Sequence, residues 1–240
     1  MGLPKLDVPI YELELPSTGE TISYRPFLVK EEKILLMAME SEDEKEMVGA
    51  IKQIINNCLV TEKIKVSELP LFDIEYLLLN LRSRSMGDVV TTSYIYEGCK
   101  EEKCKPIEFE IDVNTIKIEK DPTHNTKIEL TDTVGLIMKY PDIQLMAKLD
   151  SLDGVKTNEA FDMIVKCIDK IYDEESVYSK TDYTPKQIKD FVDNLTQDQF
   201  KKIEHFFNTI PKMYKDINYN CEKCGYNENI RVEGLSSFFG

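Results

Sequence analysis

Histidine and glycine are scarce in this chain, and the catalytic motifs that depend on them are absent. Only two histidines, His124 and His205, and ten glycines occur among the 240 residues. The sequence contains no G-x-S-x-G, P-loop, G-x-G-x-x-G or H-E-x-x-H motif, which are patterns typical of nucleophile elbows, phosphate-binding loops and zinc proteases. The carboxylates show no spacing that selects an acid/base pair. We therefore expect a protein that is not an enzyme and has no small-molecule substrate.

Long apolar runs are also missing. No stretch approaches the roughly 18 apolar residues that indicate a membrane-spanning helix. The start, MGLPKLDVPIYEL, lacks the apolar region of a secretory signal, and Leu6 stands where a myristoylation signal carries Ser or Thr. These absences predict a chain without membrane contact in a reducing cytoplasm, where clustered cysteines bind metal more often than they form disulfides.

Positive charge is in deficit. The chain has 30 Lys and Arg against 44 Asp and Glu, which gives a formal net charge of −14. Nucleic-acid binding depends on clusters of Lys and Arg that neutralise phosphates, so this balance argues against a nucleic-acid partner. An acidic chain is suited to a soluble assembly component or to a partner of basic surfaces.

Four of the six cysteines form two short pairs. Cys99 and Cys104 lie in YEGCKEEKCKP, and Cys221 and Cys224 lie in NCEKCGY. A glycine next to one cysteine of each pair permits a sharp turn, and each pair falls between two predicted strands. Because four thiolates in a tetrahedron are a typical closed zinc site, the pattern predicts a zinc-ribbon-like clip that holds structural Zn²⁺.

The sequence is also consistent with other chemical states of these four cysteines. An iron–sulfur cluster uses the same ligands, usually at other spacings, and the four cysteines are otherwise thiols or disulfides. A full set of cysteine ligands leaves no position for water, so the predicted metal stabilises the fold and does not catalyse. The remaining two cysteines, Cys58 and Cys167, fall on apolar helix faces and are predicted core residues.

The apolar periodicity predicts an α+β fold, with helices around a small antiparallel β region that carries the four-cysteine clip. A hairpin plus helices are expected over residues 1–87, and a β region with the first cysteine pair over 88–140. A helical region over 141–212 precedes the second pair and an apolar tail over 213–240. These four segments are expected to form one or two compact domains.

Local signals give several element boundaries. Pro16–Glu20 separates two alternating segments and predicts a hairpin turn. Capping boxes are predicted at Ser41–Glu44 and Thr196–Gln199, and Thr184 followed by Pro185 predicts another helix start. A single helix is predicted over 159–173, EAFDMIVKCIDKIYD.

The N-terminal run LPSTGETISYRPFLVKEEKILLMAME carries a resemblance to a known family. It contains a Pro-Ser-x-Gly turn at Pro16–Gly19, a Tyr-Arg-Pro-Phe element at Tyr24–Phe27 and a Lys-Glu-Glu-Lys-x-Leu-Leu-Met-Ala helix at Lys30–Ala38. With the ending EGLSSFFG, this pattern resembles the baseplate hub subunit family of T-even-like contractile-tailed bacteriophages. The resemblance extends over nearly the whole chain.

The resemblance implies a virion component that packs around the central hub of the tail baseplate. Such a protein would be assembled in the host cytoplasm and would bind other hub and tail proteins, including the tape measure, without turnover. The alternative is an assembly factor or tape-measure chaperone that leaves before the particle is complete. A nucleic-acid-binding zinc ribbon is a third hypothesis, which the net charge disfavours.

Five residues are candidate partner contacts. In the Tyr-Arg-Pro-Phe element, Arg25 is expected to pair with a partner carboxylate and Phe27 to fill a pocket, as interface anchors often do. Alternatively, Tyr24 and its neighbours lock the hairpin onto the following helix, which is the interpretation we favour. Phe238 and Phe239 in the apolar tail are expected to dock on this chain or on a partner.

Overall fold

The computed structural model describes residues 6–41, 43–95, 106–145 and 157–233. The fold is mixed α+β with several small antiparallel sheets, so the predicted fold class is confirmed at this level. The chain divides into two compact units. One comprises Met1–Val66, Phe72–Glu119 and Lys212–Gly240, and the other comprises Ser67–Leu71 and Lys120–Pro211, each taken over its described residues.

Over its described residues, the first unit contains two two-stranded hairpins, three helices and a three-stranded sheet. Its strands are β1 (Tyr11–Glu14), β2 (Thr21–Tyr24), β3 (Val89–Tyr94), β4 (Ile107–Asp112), β5 (Lys117–Glu119), β10 (Lys212–Asn220) and β11 (Asn227–Glu233). Its helices are α1 (Val29–Ser41), α2 (Glu44–Cys58) and, from its second residue onward, α3 (Leu71–Met86), with a short 3-10 helix at Val113–Thr115. A further 3-10 helix at Val66–Glu68 contains residues of both units. β1 pairs with β2, β3 pairs with β4, and β10 lies between β5 and β11.

The hairpin β1–β2 closes with the turn that the sequence predicted. The Gly19 N–H donates to Leu15 O at 2.8 Å, and the Leu15 N–H donates to Glu20 O at 2.9 Å. Gly19 has φ +72°, a left-handed conformation that favours glycine. The turn is tied to α3 because the Ser17 N–H donates to Asp73 Oδ1 at 3.0 Å.

The core of the first unit joins α3 to both of its larger β elements. α3 is leucine-rich on several faces and is buried, as predicted. One cluster joins α3 to β3, β4, β10 and β11 through Leu79, Val90, Ile111, Val113, Met213, Ile217 and Val232. Strands that are distant in sequence are therefore held by one set of apolar contacts.

The second unit is a four-stranded antiparallel sheet with helices. Its strands, in sheet order, are β6 (Lys127–Glu129), β7 (Gly135–Met138), β8 (Ile168–Tyr172) and β9 (Val177–Ser179). Its helices are α4 (Thr157–Cys167), α5 (Pro185–Asp193) and α6 (Gln197–Asn208), with a 3-10 helix at Lys180–Asp182. The core contains residues from the sheet and from each of these helices, among them Leu136, Ile164, Ile168, Ile188, Ile203 and Phe206.

Three predictions of local structure are wrong. The helix predicted over 159–173 ends at Cys167, and Ile168–Tyr172 forms β8 between β7 and β9. The small antiparallel β region predicted over residues 88–140 is not one sheet, because the strands between residues 89 and 138 belong to three different sheets. Two of these sheets also contain strands that follow residue 167. The second helix is capped by Asp43, whose side chain accepts from Lys45 N and Glu46 N, and not by Ser41.

The helix starts at Thr184 and Thr196 are confirmed. Each threonine caps its helix through the reciprocal side-chain and backbone bonds of a capping box, with Gln187 and Gln199 respectively as the third residue. Such boxes satisfy backbone N–H groups that lack a partner at a helix start. The sequence signal is reliable here because both partners lie within one turn.

Candidate protein-binding and metal-binding sites

The second cysteine pair lies in the tight turn between β10 and β11. The Cys221 N–H donates to Tyr226 O at 2.8 Å, and the Gly225 N–H donates to Cys221 O at 2.8 Å. Gly225 has φ +72°, which allows the turn to fold back sharply. Cys221 is buried and Cys224 is partly exposed. Both thiols therefore belong to one hydrogen-bonded turn at the end of the β10–β11 hairpin.

The first cysteine pair belongs to the connection between β3 and β4. The last pair of this ladder is Tyr94 opposite Ile107, and Cys99 and Cys104 lie outside the described residues. Across the parts of the chain that are described, no group of three or more His, Cys, Asp or Glu side chains is arranged to hold a metal. The predicted four-cysteine clip therefore stays a prediction.

The described ends of the two cysteine-bearing hairpins are in contact. The buried ring of Tyr219, two residues before Cys221, has its centroid 6.1 Å from the Tyr94 ring and 6.2 Å from the Phe109 ring. Tyr94 and Phe109 are on β3 and β4, close to the connection that carries the first pair. The hairpin ends from which both cysteine pairs extend are therefore neighbours.

Arg25 lies at the centre of a buried polar network. Its Nη2 lies 3.0 Å from Glu31 Oε1 and donates to Asn57 O at 2.8 Å, while its Nη1 donates to Pro26 O at 2.9 Å. The Glu31 side chain is fully buried and also accepts from Leu28 N at 2.9 Å. Arg25 therefore joins the end of β2, the start of α1 and the end of α2.

The charges in this network stabilise each other. Burial acts to raise the pKa of Glu31, but hydrogen bonds from Arg25 and Leu28 and the charge of Arg25 hold that pKa below its usual value. Burial raises the pKa of the nearby Cys58 thiol to about 11, so Cys58 is protonated at neutral pH. Cys58 and Cys167 are both fully buried, which confirms their prediction as core residues.

The other predicted partner contacts differ in exposure. Tyr24 is 1% exposed, and Phe27 is partly buried with its N–H donating to Ser85 Oγ at 3.0 Å. These contacts favour the structural role of the Tyr-Arg-Pro-Phe element, and its role in partner binding stays a prediction. Phe238 and Phe239 lie outside the described residues.

Sequence reasoning missed the exposed apolar face of α1. Five apolar side chains of α1 and the residue before it are exposed, namely Leu28, Val29, Leu36, Met37 and Met39. Val29 is 79% exposed and Met37 is 60% exposed. Met is adaptable and frequent on protein-binding surfaces. The run ILLMAM contains more apolar residues than one buried helix face requires, and this excess was the available signal.

His124 has a structural environment. Its Nδ1 and Nε2 lie 2.8 Å from Thr209 Oγ1 and 3.0 Å from Tyr140 Oη, respectively, and its ring stacks on Tyr140 and Phe206. Burial lowers the pKa of His124, so the neutral ring is favoured. His205 Nε2 lies 2.9 Å from Thr123 Oγ1. The contacts of both histidines therefore connect segments of the second unit that are distant in sequence.

The family comparison covers both compact units. A family model described as T4 bacteriophage base plate protein matches residues 8–240. No curated protein matches the chain, and no solved structure matches it. Within the described ranges, no helix combines the length and apolar character needed to cross a bilayer.

Proposed function

This chain belongs to the T4 bacteriophage base plate protein family, and we propose that it is a structural subunit of the baseplate hub in a contractile tail. The main support for the proposal is the family match, which extends over nearly the whole chain. A baseplate protein acts by binding other baseplate and tail proteins. The hub position is favoured by the resemblance of Pro16–Gly19, Tyr24–Phe27 and Lys30–Ala38 to hub subunits.

The exposed face of α1 supports a role in binding. Apolar side chains that are exposed as a group mark protein-binding surfaces more often than single exposed residues do. The Arg25 network fixes the start of this helix, because Glu31 is one of its members. A rigid support of this kind reduces the entropy lost on association.

The proposal is tested by mass spectrometry of purified particles. A hub subunit is expected at a fixed stoichiometry in infectious virions. Presence on assembling tails combined with absence from finished virions would contradict the proposal and favour the assembly-factor alternative. Salt-sensitive retention on DNA would favour the nucleic-acid hypothesis, which a net charge of −14 disfavours.

The α1 face is tested by a matched pair of variants. Met37→Asp places a charge on the exposed apolar face, whereas Gln53→Asp places the same charge on an exposed position of the neighbouring helix α2. We expect Met37→Asp to reduce incorporation into particles and Gln53→Asp to leave it unchanged, with both proteins folded by circular dichroism. Equal incorporation of the two variants would exclude this face from the interface.

We also propose that Cys99, Cys104, Cys221 and Cys224 bind one structural Zn²⁺. The support is the turn around Cys221, the two-pair pattern of soft ligands, and the contact between Tyr94 and Tyr219 at the described ends of the two hairpins. Zinc, when bound, would crosslink the two hairpins and stabilise the folded state.

Elemental analysis of the protein purified under reducing conditions tests the metal. We expect about one zinc per chain, loss of that zinc in Cys221→Ser, and full retention in Cys167→Ser. Cys167 is a suitable control because it is buried in the core of the other unit. Iron with visible absorption would favour a cluster, and a metal-free wild type would contradict the site.

A further inference from the structure

An aromatic cavity lies in the second unit beside strands β8 and β9 of its sheet. Its volume is about 360 Å³, which falls in the range of ligand-binding pockets. Tyr172, Tyr178, Tyr183 and Phe191 contribute four aromatic rings to its lining, and Asp173 contributes a carboxylate. β8, β9 and α5 supply most of these residues.

The carboxylate of Asp173 is held in a fixed orientation. Its Oδ2 accepts from Tyr178 Oη at 2.6 Å, and its Oδ1 accepts from Glu175 N at 2.9 Å and Ser176 N at 2.8 Å. These hydrogen bonds, led by that from Tyr178, lower the pKa of Asp173. The cavity wall therefore carries a negative charge at neutral pH.

Two of the lining rings contact each other, and one of them, Tyr178, is the ring that is hydrogen-bonded to Asp173. Tyr178 and Tyr183 meet edge to face, with centroids 5.8 Å apart and an interplanar angle of 81°. Tyr183 is 38% exposed, so the cavity is accessible at this side. The Tyr172 ring already attracts a cation, because Lys127 Nζ lies 5.1 Å from its centroid. Aromatic faces next to a carboxylate form the usual environment for a cationic group.

We propose that this cavity binds an arginine side chain of a partner protein. Ring faces favour a planar guanidinium by stacking and by cation–π attraction, and Asp173 supplies the complementary charge. An anionic group would be repelled by Asp173 and by the adjacent exposed Glu174 and Glu175. The inference rests on the proposed function and deepens it, because it identifies the chemistry of one contact within baseplate assembly.

The intact protein can be titrated with a capped Gly-Arg-Gly peptide and with its citrulline counterpart, which has nearly the same shape without the charge. We expect saturable changes in the amide NMR signals of residues 172–191 with the arginine peptide. The citrulline peptide is expected to bind at least about fivefold more weakly, since a cation–π contact contributes on the order of 1 kcal/mol. Equal affinity for the two peptides, or no binding of either, would overturn the proposal.

Three variants distinguish binding of the arginine peptide in the cavity from a general attraction of the peptide to an acidic protein. Asp173→Asn and Tyr183→Leu are each expected to weaken arginine-peptide binding by about fivefold or more. Asp198→Asn, which removes an exposed charge elsewhere in the same unit, is expected to have no effect. Tyr183 is partly exposed, so Tyr183→Leu is expected to leave the fold intact. This variant therefore tests the site even if Asp173→Asn disturbs the turn. Unchanged affinity in Tyr183→Leu would contradict the site.

Failure of the peptide titration and failure of the mass spectrometry of virions can be told apart. If the peptide does not bind but the chain is present in virions at fixed stoichiometry, the cavity proposal fails and the baseplate proposal stands. If the peptide binds as expected but virions lack the chain, the cavity is a basic-side-chain site in a protein with another role.

Discussion

At the scale of single residues, Arg25 and Glu31 show how one ion pair organises several elements. The Arg25 guanidinium reaches Glu31 at the start of α1 and Asn57 O near the end of α2. Both Glu31 oxygens also have partners, since Oε1 lies 3.4 Å from Lys30 Nζ and Oε2 accepts from Leu28 N. A buried pair with satisfied hydrogen bonds is costly to break because the remaining charge stays desolvated.

Glu31→Gln is expected to lower the free energy of unfolding by about 2–4 kcal/mol, because it leaves the Arg25 charge without its carboxylate. Urea unfolding measures this. Asp198→Asn, which breaks an exposed pair with Lys201 and removes a negative charge from the first turn of α6, is the matched control and should cost less than about 1 kcal/mol. Similar midpoints for the two variants would show that the buried pair contributes no more than a surface pair.

The same pair predicts a pH dependence. The pKa of Glu31 is lowered in the folded state, so its contribution to stability is present above the ordinary glutamate pKa of about 4.3. That contribution is lost as the pH falls through the lower folded value. Wild type should therefore lose its stability advantage over Glu31→Gln on acidification below about pH 4. A gap between the two proteins that stays constant down to pH 2 would contradict this assignment.

Two glycines give opposite predictions for the same substitution. A Cβ at Gly135 in β7 would lie 2.6 Å from Ile128 O and would overlap the Tyr172 ring, whereas a Cβ at Gly49 in α2 would meet nothing within 4 Å. Gly135→Ala should destabilise the protein by about 1–3 kcal/mol through overpacking. Gly49→Ala should stabilise it by up to about 1 kcal/mol through helix propensity. Thermal unfolding of both variants checks the signs.

At the scale of elements, the same turn geometry appears at two hairpins that differ in their cysteines. Gly19 and Gly225 both have φ +72°, and each N–H donates to a carbonyl oxygen four residues earlier at 2.8 Å. The turn at Gly225 carries Cys221 and Cys224, whereas the turn at Gly19 has no metal-binding side chain of this kind. The two turns therefore allow the effect of metal to be separated from that of turn geometry.

Chelation of zinc is expected to increase hydrogen exchange at the Gly225 amide and to leave the Gly19 amide unchanged. The reason is that metal binding would stabilise only the cysteine-bearing turn. Exchange measured by NMR before and after treatment with a chelator provides the comparison. Equal protection of Gly225 in both states would contradict a zinc ion at Cys221 and Cys224.

At the scale of the whole molecule, the second unit has a core of its own. Among the described residues, the twelve buried members of its apolar cluster all lie between Ile128 and Phe206, and its four strands pair only with one another. A unit that buries its own apolar face and pairs its own strands has the elements of an independent fold.

A fragment of residues 120–211 is therefore expected to keep its sheet and to unfold cooperatively. Circular dichroism and urea unfolding measure this, with Phe206→Ala as a control that should cost about 3–5 kcal/mol in a real core. A fragment without a cooperative transition would show that the unit depends on the rest of the chain.

The sequence by itself determined the features that depend on neighbouring residues. The turn at Gly19, the helix start at Thr184 and the capping box at Thr196 were correctly predicted because their hydrogen-bonding partners lie within a few residues. The α+β class and the family followed from periodic patterns and from the N-terminal motifs.

Only the tertiary structure decided the features that depend on distant partners. Ile168–Tyr172 has a helical apolar pattern but becomes a strand because β7 and β9 pair with it on both sides. Arg25 is an internal residue because Glu31 and Asn57 surround it, and the cavity around Asp173 exists because β8, β9 and α5 converge there. Long-range pairing and burial override local propensity, since their energies accumulate over many contacts whereas propensity differences are below about 1 kcal/mol per residue.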